Sequence, residues 1–222
     1  MYKLHEKVAI ASAGNLITDA AAVTGEMSTA LKSRMAHINI VVSADAWLEW
    51  AESPEVQVDY RITSYIRFKQ ESGLYQFDPD AARDTYPCPR TWGMADRFIK
   101  TVGFQSPDML DGLSAILSDG AALEFVSFTK HYSDLPTLDQ ILKDPEKAKL
   151  PDTRGAQFAM SGLLSASLST DNADKLAVYI ARLPTEFQGA TIIPAMTRQP
   201  SLGVVKSLQG WAMKFTRNLY SK

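Results

Sequence analysis

Two short apolar runs near the N-terminus differ in pattern from the rest of the chain. Residues 8–13 (Val-Ala-Ile-Ala-Ser-Ala) precede Gly14, and residues 37–42 (His-Ile-Asn-Ile-Val-Val) are rich in β-branched side chains. Short, continuous apolar runs are typical of strands buried on both faces of a parallel sheet. The helix-tolerant residues 19–34 lie between them, so the pattern predicts one strand–helix–strand unit.

The pattern changes to helical after residue 42. Ser43 or Asp45 is suited to cap a short helix, Ser106 with Pro107 to start another, and Asp171 to cap a third. Thr137 and Gln140 have the spacing of a capping box. Apolar stripes at spacings of three and four predict helices around residues 47–50, 58–69, 92–102, 110–117, 176–183 and 202–219. The expected fold class is therefore mainly α, with a small α/β part followed by a long all-α region.

Composition and charge narrow the function classes. The chain has 222 residues, 45% of them hydrophobic and 22% charged, with a net charge of −2. The acidic balance argues against a dedicated nucleic-acid binder, although a local basic patch on the last helix stays open. The single cysteine, Cys88, excludes an intrachain disulfide and favours a reducing, cytoplasmic setting. No apolar run approaches the ~20 residues of a membrane span.

Residues 8–13 also imitate the apolar region of a secretory signal peptide, because they end in Ala-Ser-Ala. The run has only six residues, and His5 and Glu6 interrupt its approach. A core strand is the favoured interpretation.

Three polar positions stand where nucleotide chemistry would need them. Asn15 follows the first predicted strand, at the edge of a sheet where ligands gather, although a turn or cap is the alternative. Arg34 precedes the second strand. Arg90 follows Pro87 and Pro89, which restrict the approach of the chain, and opens a helix. Arginine stabilises charge on transferring phosphoryl groups, whereas an ordinary exposed arginine is the competing interpretation of each.

The order of these motifs resembles that of the MoxR-like AAA+ ATPases of bacteria and their viruses. The chain carries Ala-Gly-Asn after the first run, Ala-Leu-x-x-Arg before the second, then Trp-x-x-Trp-Ala and Pro-x-Pro-Arg-x-Trp. The similarity covers residues 2–104 and continues more loosely into the C-terminal helices.

The resemblance implies a role for each polar position. Asn15 would be the sensor-1 residue that positions the attacking water, and Arg34 the arginine finger that acts on ATP in the next subunit of a ring. Arg90 would be the sensor-2 arginine that contacts the γ-phosphate, while Trp47, Trp50 and Trp92 would be core residues of the lid. It further implies ATP and Mg²⁺ as cofactors, and three segments: the end of the α/β core (1–43), a helical lid (44–105) and a helical extension (106–222).

The motifs with which that family binds nucleotide and magnesium are missing. None of the twelve glycines is followed by lysine, so there is no P-loop G-x-x-x-x-G-K-[ST]. No aspartate is followed by glutamate, so the acidic pair that organises magnesium is missing as well. The sequence therefore predicts a partial ATPase that contributes sensing and lid elements to remodelling of other proteins and does not hydrolyse ATP alone.

Several alternatives remain open at this level. The missing half could come from a separate P-loop-bearing polypeptide in a homo- or hetero-oligomeric ring, the chain could be a truncated product, or the N-terminal part could be repurposed. In the last case the chain would be a non-enzymatic helical interaction module. A nucleic-acid-binding accessory protein is a third class. The client protein is not identified by the sequence.

Overall fold

The computed structural model describes His5 and residues 7–14, 27–78, 80–81 and 84–220. Contacts divide the chain into two compact units. The first consists of Met1–Val41 with Asp78–Ala82, and the second of Val42–Phe77 with Arg83–Lys222. Each unit is described by itself.

The described part of the first unit contains one short helix, α1 (Thr29–Lys32), whose first turn is capped by Ser28. The strands predicted at residues 8–13 and 37–42 are not found, because both segments lie in irregular structure. Their apolar side chains are exposed: Ile10 at 78%, Ile38 at 85% and Ile40 at 93%. A strand is held by hydrogen bonds to a neighbouring strand, and the described residues of this unit include no strand. The prediction of an α/β part is therefore not borne out in the described residues.

The second unit is α-helical throughout its described regular structure, so the mainly α class is confirmed. Its α-helices, in chain order, are α2 (Ala44–Ala51), α3 (Tyr60–Lys69), α4 (Glu71–Leu74), α5 (Pro89–Val102), α6 (Met109–Leu117), α7 (Asp119–Thr129), α8 (Leu138–Lys143), α9 (Arg154–Ser167), α10 (Ala173–Ile180), α11 (Thr185–Arg198) and α12 (Lys206–Tyr220). Short 3₁₀ helices at Lys130–Asp134 and Pro200–Val204 follow α7 and α11. Among the described residues, no helix is both long and apolar enough to cross a bilayer.

Side-chain caps fix several helix starts. Ser43 Oγ accepts the Ala46 N–H at 3.2 Å, so Ser43 caps α2. The capping box predicted for Thr137 and Gln140 is confirmed at the start of α8. Two predicted starts shift by one or two residues along the chain, since α6 begins after Asp108 and α10 after Asn172.

Two hydrophobic clusters form the core of the second unit. The N-terminal cluster is built on α2, α3, α5, α6 and α7, and its largest fully buried side chains are Tyr65, Trp92 and Phe125. The C-terminal cluster is built mainly on α9, α10 and α11, around Tyr179 and Phe187. Phe158 of α9 packs against both clusters, so α9 links the two halves of the core.

The apolar pattern does not predict α9 or α11. The buried face of α9 includes small residues such as Gly155, Ala156, Ser161 and Ser165, which a hydrophobicity pattern does not register. Helix α11 contains Pro194, a residue that ordinarily ends or kinks a helix. In both helices, tertiary packing rather than intrinsic pattern supports the helical conformation.

Helix α9 packs closely against α3 at Gly162. A β-carbon built on Gly162 would lie 1.8 Å from Ser64 Oγ and 3.1 Å from the Tyr60 carbonyl oxygen. The Ser64 hydroxyl donates to that same carbonyl at 2.6 Å, so it lies against α3 and faces Gly162. Glycine at this position lets the two backbones approach.

Replacing Gly162 with alanine should therefore destabilise the protein. We expect Gly162→Ala to cost about 1–3 kcal/mol of unfolding free energy, because the added methyl overpacks the α3–α9 contact. The matched control is Gly210→Ala in α12, where a β-carbon meets no atom within 4 Å. That change should be neutral or stabilise by up to about 1 kcal/mol through helix propensity. Urea denaturation followed by circular dichroism measures both, and equal midpoints for the two variants would contradict the expectation.

Tyr179 in the C-terminal cluster makes stability dependent on alkaline pH. Its ring is fully buried and its hydroxyl donates to the Lys149 carbonyl at 2.7 Å. Burial raises the pKa of Tyr179 from 10.0 to about 12, partly opposed by the Arg182 charge. The unfolded chain thus releases this proton at lower pH than the folded chain, so the stabilisation is complete below the unfolded pKa and is lost as pH rises toward the folded pKa.

We expect the free energy of unfolding to fall faster above about pH 10 in the wild type than in Tyr179→Phe, by up to about 1.4 kcal/mol per pH unit. Urea midpoints at a series of pH values from neutral to alkaline measure this difference. If the unfolding free energies of the two proteins fall equally with pH, ionisation of Tyr179 does not cause the loss of stability.

Candidate functional site

The three residues predicted from the sequence to sense nucleotide are Asn15, Arg34 and Arg90. Asn15 lies outside the described residues. Arg34 follows α1 in the first unit and is exposed, and its guanidinium donates to the Ala30 carbonyl one turn earlier at 2.5 Å. Arg90 belongs to the second unit.

Arg90 is the second residue of α5 and is exposed. The predicted helix start is confirmed: Pro89 occupies the first turn, and the Thr91 hydroxyl accepts the Cys88 N–H at 2.8 Å. This local bonding fixes the approach of the chain, and the exposed Arg90 side chain adds positive charge at the positive end of the helix dipole.

The tryptophans differ in their surroundings. Trp92 is fully buried and donates through Nε1 to the Gly73 carbonyl at 3.0 Å, and Trp47 is 7% exposed. Trp50 is 49% exposed, so the expectation that it belongs to the core is wrong. It lies on the outer side of α2, stacked at a tilt against Trp47.

A cleft lies between α2–α3 and α9–α11 in the second unit. Its inner part is a cavity of about 260 Å³ where α3 faces α9 and the end of α11. The walls combine the apolar residues Phe158 and Pro194 with the hydroxyl-bearing residues Thr63, Ser64 and Ser165. Ligand sites are typically concavities of this mixed kind.

Three charged side chains line the inner cavity at one end. Arg67 of α3 donates to the Glu52 carboxylate at 2.5 Å, and both side chains are mostly buried, with 24% and 18% exposure. Arg198, the last residue of α11, donates to the Leu168 carbonyl at 3.0 Å. Burial lowers the pKa of Arg198, and the nearby Glu52 carboxylate opposes that effect. Arg198 has no ion-pair partner of its own within the described chain.

Asp59, also on the cavity wall, is already neutralised. Arg61 donates to it twice through its side chain, at 2.8 and 2.6 Å, and once through its backbone N–H. The Arg61 guanidinium also lies 4.0 Å from the centre of the Phe104 ring. The Asp59 carboxylate is therefore paired with the Arg61 guanidinium and serves a structural role.

A second, wider groove adjoins the cavity and shares the Glu52–Arg67 pair as its inner wall. Its rim carries the exposed carboxylates Asp45, Glu49 and Glu186. Its floor is apolar and includes Ile193, which is 52% exposed. The cleft therefore has a positively charged inner end and a negatively charged outer rim.

Sequence reasoning did not find this cleft. Glu52, Arg67 and Arg198 are separated by up to 146 positions along the chain and belong to no motif. Only the packing of α3 against α9 and α11 brings them together. Within the described residues, no group of histidine, cysteine, aspartate and glutamate side chains is arranged to hold a metal ion.

Comparisons with known proteins give no neighbour: no family model, no curated protein and no solved structure matches this chain.

The Glu52–Arg67 pair should be energetically coupled. In a double-mutant cycle with Glu52→Gln and Arg67→Gln, we expect a coupling energy of about 1–2 kcal/mol, since both groups are largely removed from water. The matched control is the exposed Asp144–Lys147 pair, 4.0 Å apart, for which Asp144→Asn and Lys147→Gln should couple by less than about 0.5 kcal/mol. Chemical denaturation of the four variants in each cycle measures both coupling energies. Equal coupling energies in the two cycles would contradict the expectation that burial strengthens the Glu52–Arg67 pair.

Proposed function

We propose that this chain is the sensing and lid half of a MoxR-like AAA+ ATPase. In this proposal it acts in the cytoplasm with a P-loop-bearing polypeptide, in an oligomeric ring that uses ATP and Mg²⁺ to remodel other proteins. Asn15 acts as sensor 1, Arg34 as the arginine finger and Arg90 as sensor 2. Residues 1–43 belong to the α/β core, 44–105 to the lid and 106–222 to a helical extension.

The observation that carries the proposal is the exposure of two apolar runs in the first unit. Ile10, Ile38 and Ile40 are each at least 78% exposed, and Val41 is 82% exposed. Contiguous apolar side chains rarely stay in water unless a partner covers them. Segments of this composition gain both hydrogen bonds and burial when they join the edge of another sheet. A polypeptide that supplies the remaining strands of a parallel sheet would provide that edge.

The second unit adds support of a different kind. Arg90 is exposed at the start of a 14-residue helix, where a neighbouring phosphate would meet both the side chain and the helix dipole. Trp92 in the following turn anchors this helix in the N-terminal cluster. An exposed arginine on a rigid base is suited to respond to nucleotide bound on another polypeptide.

Catalysis by the isolated chain is not part of the proposal. Phosphoryl transfer depends on positioning and on the metal and dipole charges around the phosphates. The sequence has neither a P-loop lysine nor the acidic pair that organises magnesium. Sensor residues alone supply only auxiliary charge.

The composite-ATPase proposal is tested by measuring phosphate release from MgATP with the purified full chain, alone and mixed with a separately purified N-terminal half of a MoxR-like ATPase. We expect no release by the chain alone and release by the mixture. Arg90→Ala should reduce release by the mixture roughly hundredfold, as for removal of one donor from a charged transition state. Arg97→Ala, an exposed arginine on the same helix, is the matched control and should leave the rate unchanged.

Two outcomes would contradict the composite proposal. Release by the chain alone that Arg90→Ala abolishes would mean that the chain carries a complete site. A mixture that neither assembles nor binds MgATP would favour the second candidate, a non-enzymatic helical interaction module. That candidate is favoured by large apolar side chains at the surface of the second unit, since Trp50, Leu123 and Ile193 are each about half exposed.

A further inference from the structure

The inner cavity of the cleft carries an unbalanced positive charge. Glu52 is bonded directly to Arg67, so one carboxylate faces two guanidinium groups at this end. Asp59 adds nothing to the balance, because Arg61 neutralises it. One positive charge thus remains without a direct partner. Half-buried charges are costly unless they are paired.

Arg198 is the group that holds this charge. Of the five N–H donors of its guanidinium, the structure shows one bond, to the Leu168 carbonyl. That bond is to a neutral group and does not balance the charge. Burial lowers the pKa of Arg198, and the nearby Glu52 carboxylate, which is bonded to Arg67, partly opposes that effect.

The walls beside Arg198 offer a further donor and an apolar floor. Ser165 of α9 is 8% exposed and lines the cavity. The Thr63 and Ser64 hydroxyls both donate to the Tyr60 carbonyl, so Ser165 is better suited than either to donate to a ligand. Phe158 and Pro194 supply apolar surface.

The exposed carboxylates at the rim of the outer groove would repel an approaching anion. Asp45, Glu49 and Glu186 are exposed, so salt screens their repulsion over about 8–10 Å at physiological ionic strength. The inner arginines are partly buried and their attraction is screened less. The inner cavity, of about 260 Å³, has room for a small anion beside Arg198.

We propose that this cavity binds a small oxyanion, with Arg198 as its charged contact, Ser165 as a second hydrogen-bond donor and Arg67 at its edge. The anionic group is a carboxylate or a phosphate. None of the residues of this site is assigned to nucleotide sensing, so the oxyanion proposal does not depend on the proposed ATPase role.

The test is isothermal titration of the purified full chain with inorganic phosphate and, separately, with succinate, each against chloride at equal ionic strength. We expect saturable binding of at least one probe with a stoichiometry of one. Preference for phosphate or for succinate identifies the source of the oxyanion. Amide chemical shifts in ¹⁵N-labelled protein should change at Gly162 and Ser165, which border the cavity.

Variants assign the binding to the cavity. Arg198→Gln should weaken binding roughly tenfold or more, as expected for loss of one hydrogen bond to a charged group. Arg97→Gln is the matched control, because Arg97 is an exposed arginine of α5 and does not line the cavity. Ser165→Ala tests the same site with little risk to folding and should also weaken binding.

Either of two results would overturn the proposal. One is no saturable binding of either probe to the wild-type chain. The other is binding that Ser165→Ala and Arg198→Gln leave unchanged, or that Arg97→Gln weakens equally, since the bound anion would then lie elsewhere. If Arg198→Gln does not fold, Ser165→Ala and the chemical shifts decide the outcome.

Discussion

The close contact between α3 and α9 is the constraint on which the second unit depends. Gly162 lets the α9 backbone approach Ser64 and the Tyr60 carbonyl, and Phe158, one turn earlier, packs against both hydrophobic clusters. Close-packed interiors tolerate little added volume, so this one position governs how the two halves of the core meet. The inner cavity lies beside the contact, which means that its shape is fixed by the same packing.

The charges of the cleft follow from that arrangement. Because α3 and the end of α11 converge beside α9, Arg67 and Arg198 reach the same cavity with only Glu52 between them. Removal of arginine side chains from water without full pairing is unfavourable. Such an arrangement often accompanies a binding role, and here it supports an oxyanion site independent of the family resemblance.

The two proposals depend on different residues and different interactions, although Arg90 of the ATPase proposal also lies in the second unit. The composite ATPase depends on the exposed apolar runs of the first unit, which need a partner to be buried. The oxyanion site depends on unbalanced charge inside the second unit. Trp50 belongs to neither, although its half-exposed ring on α2 offers an apolar contact. The resemblance to MoxR-like ATPases remains a hypothesis about Asn15, Arg34 and Arg90.

The sequence by itself determined the mainly helical class and the cap at Thr137, and it placed the start of α2 at Ser43 or Asp45 and that of α5 at Arg90, close to where the structure has them, because these depend on local patterns and local hydrogen bonds. It failed for the strands at residues 8–13 and 37–42, since a strand exists only with a neighbour to bond. Tertiary structure alone decided that α9 and α11 are helical, with their small buried residues and internal proline, and that residues as distant as Glu52 and Arg198 share a cavity. The physical reason is that packing and charge balance depend on contacts between distant segments, which no local pattern specifies.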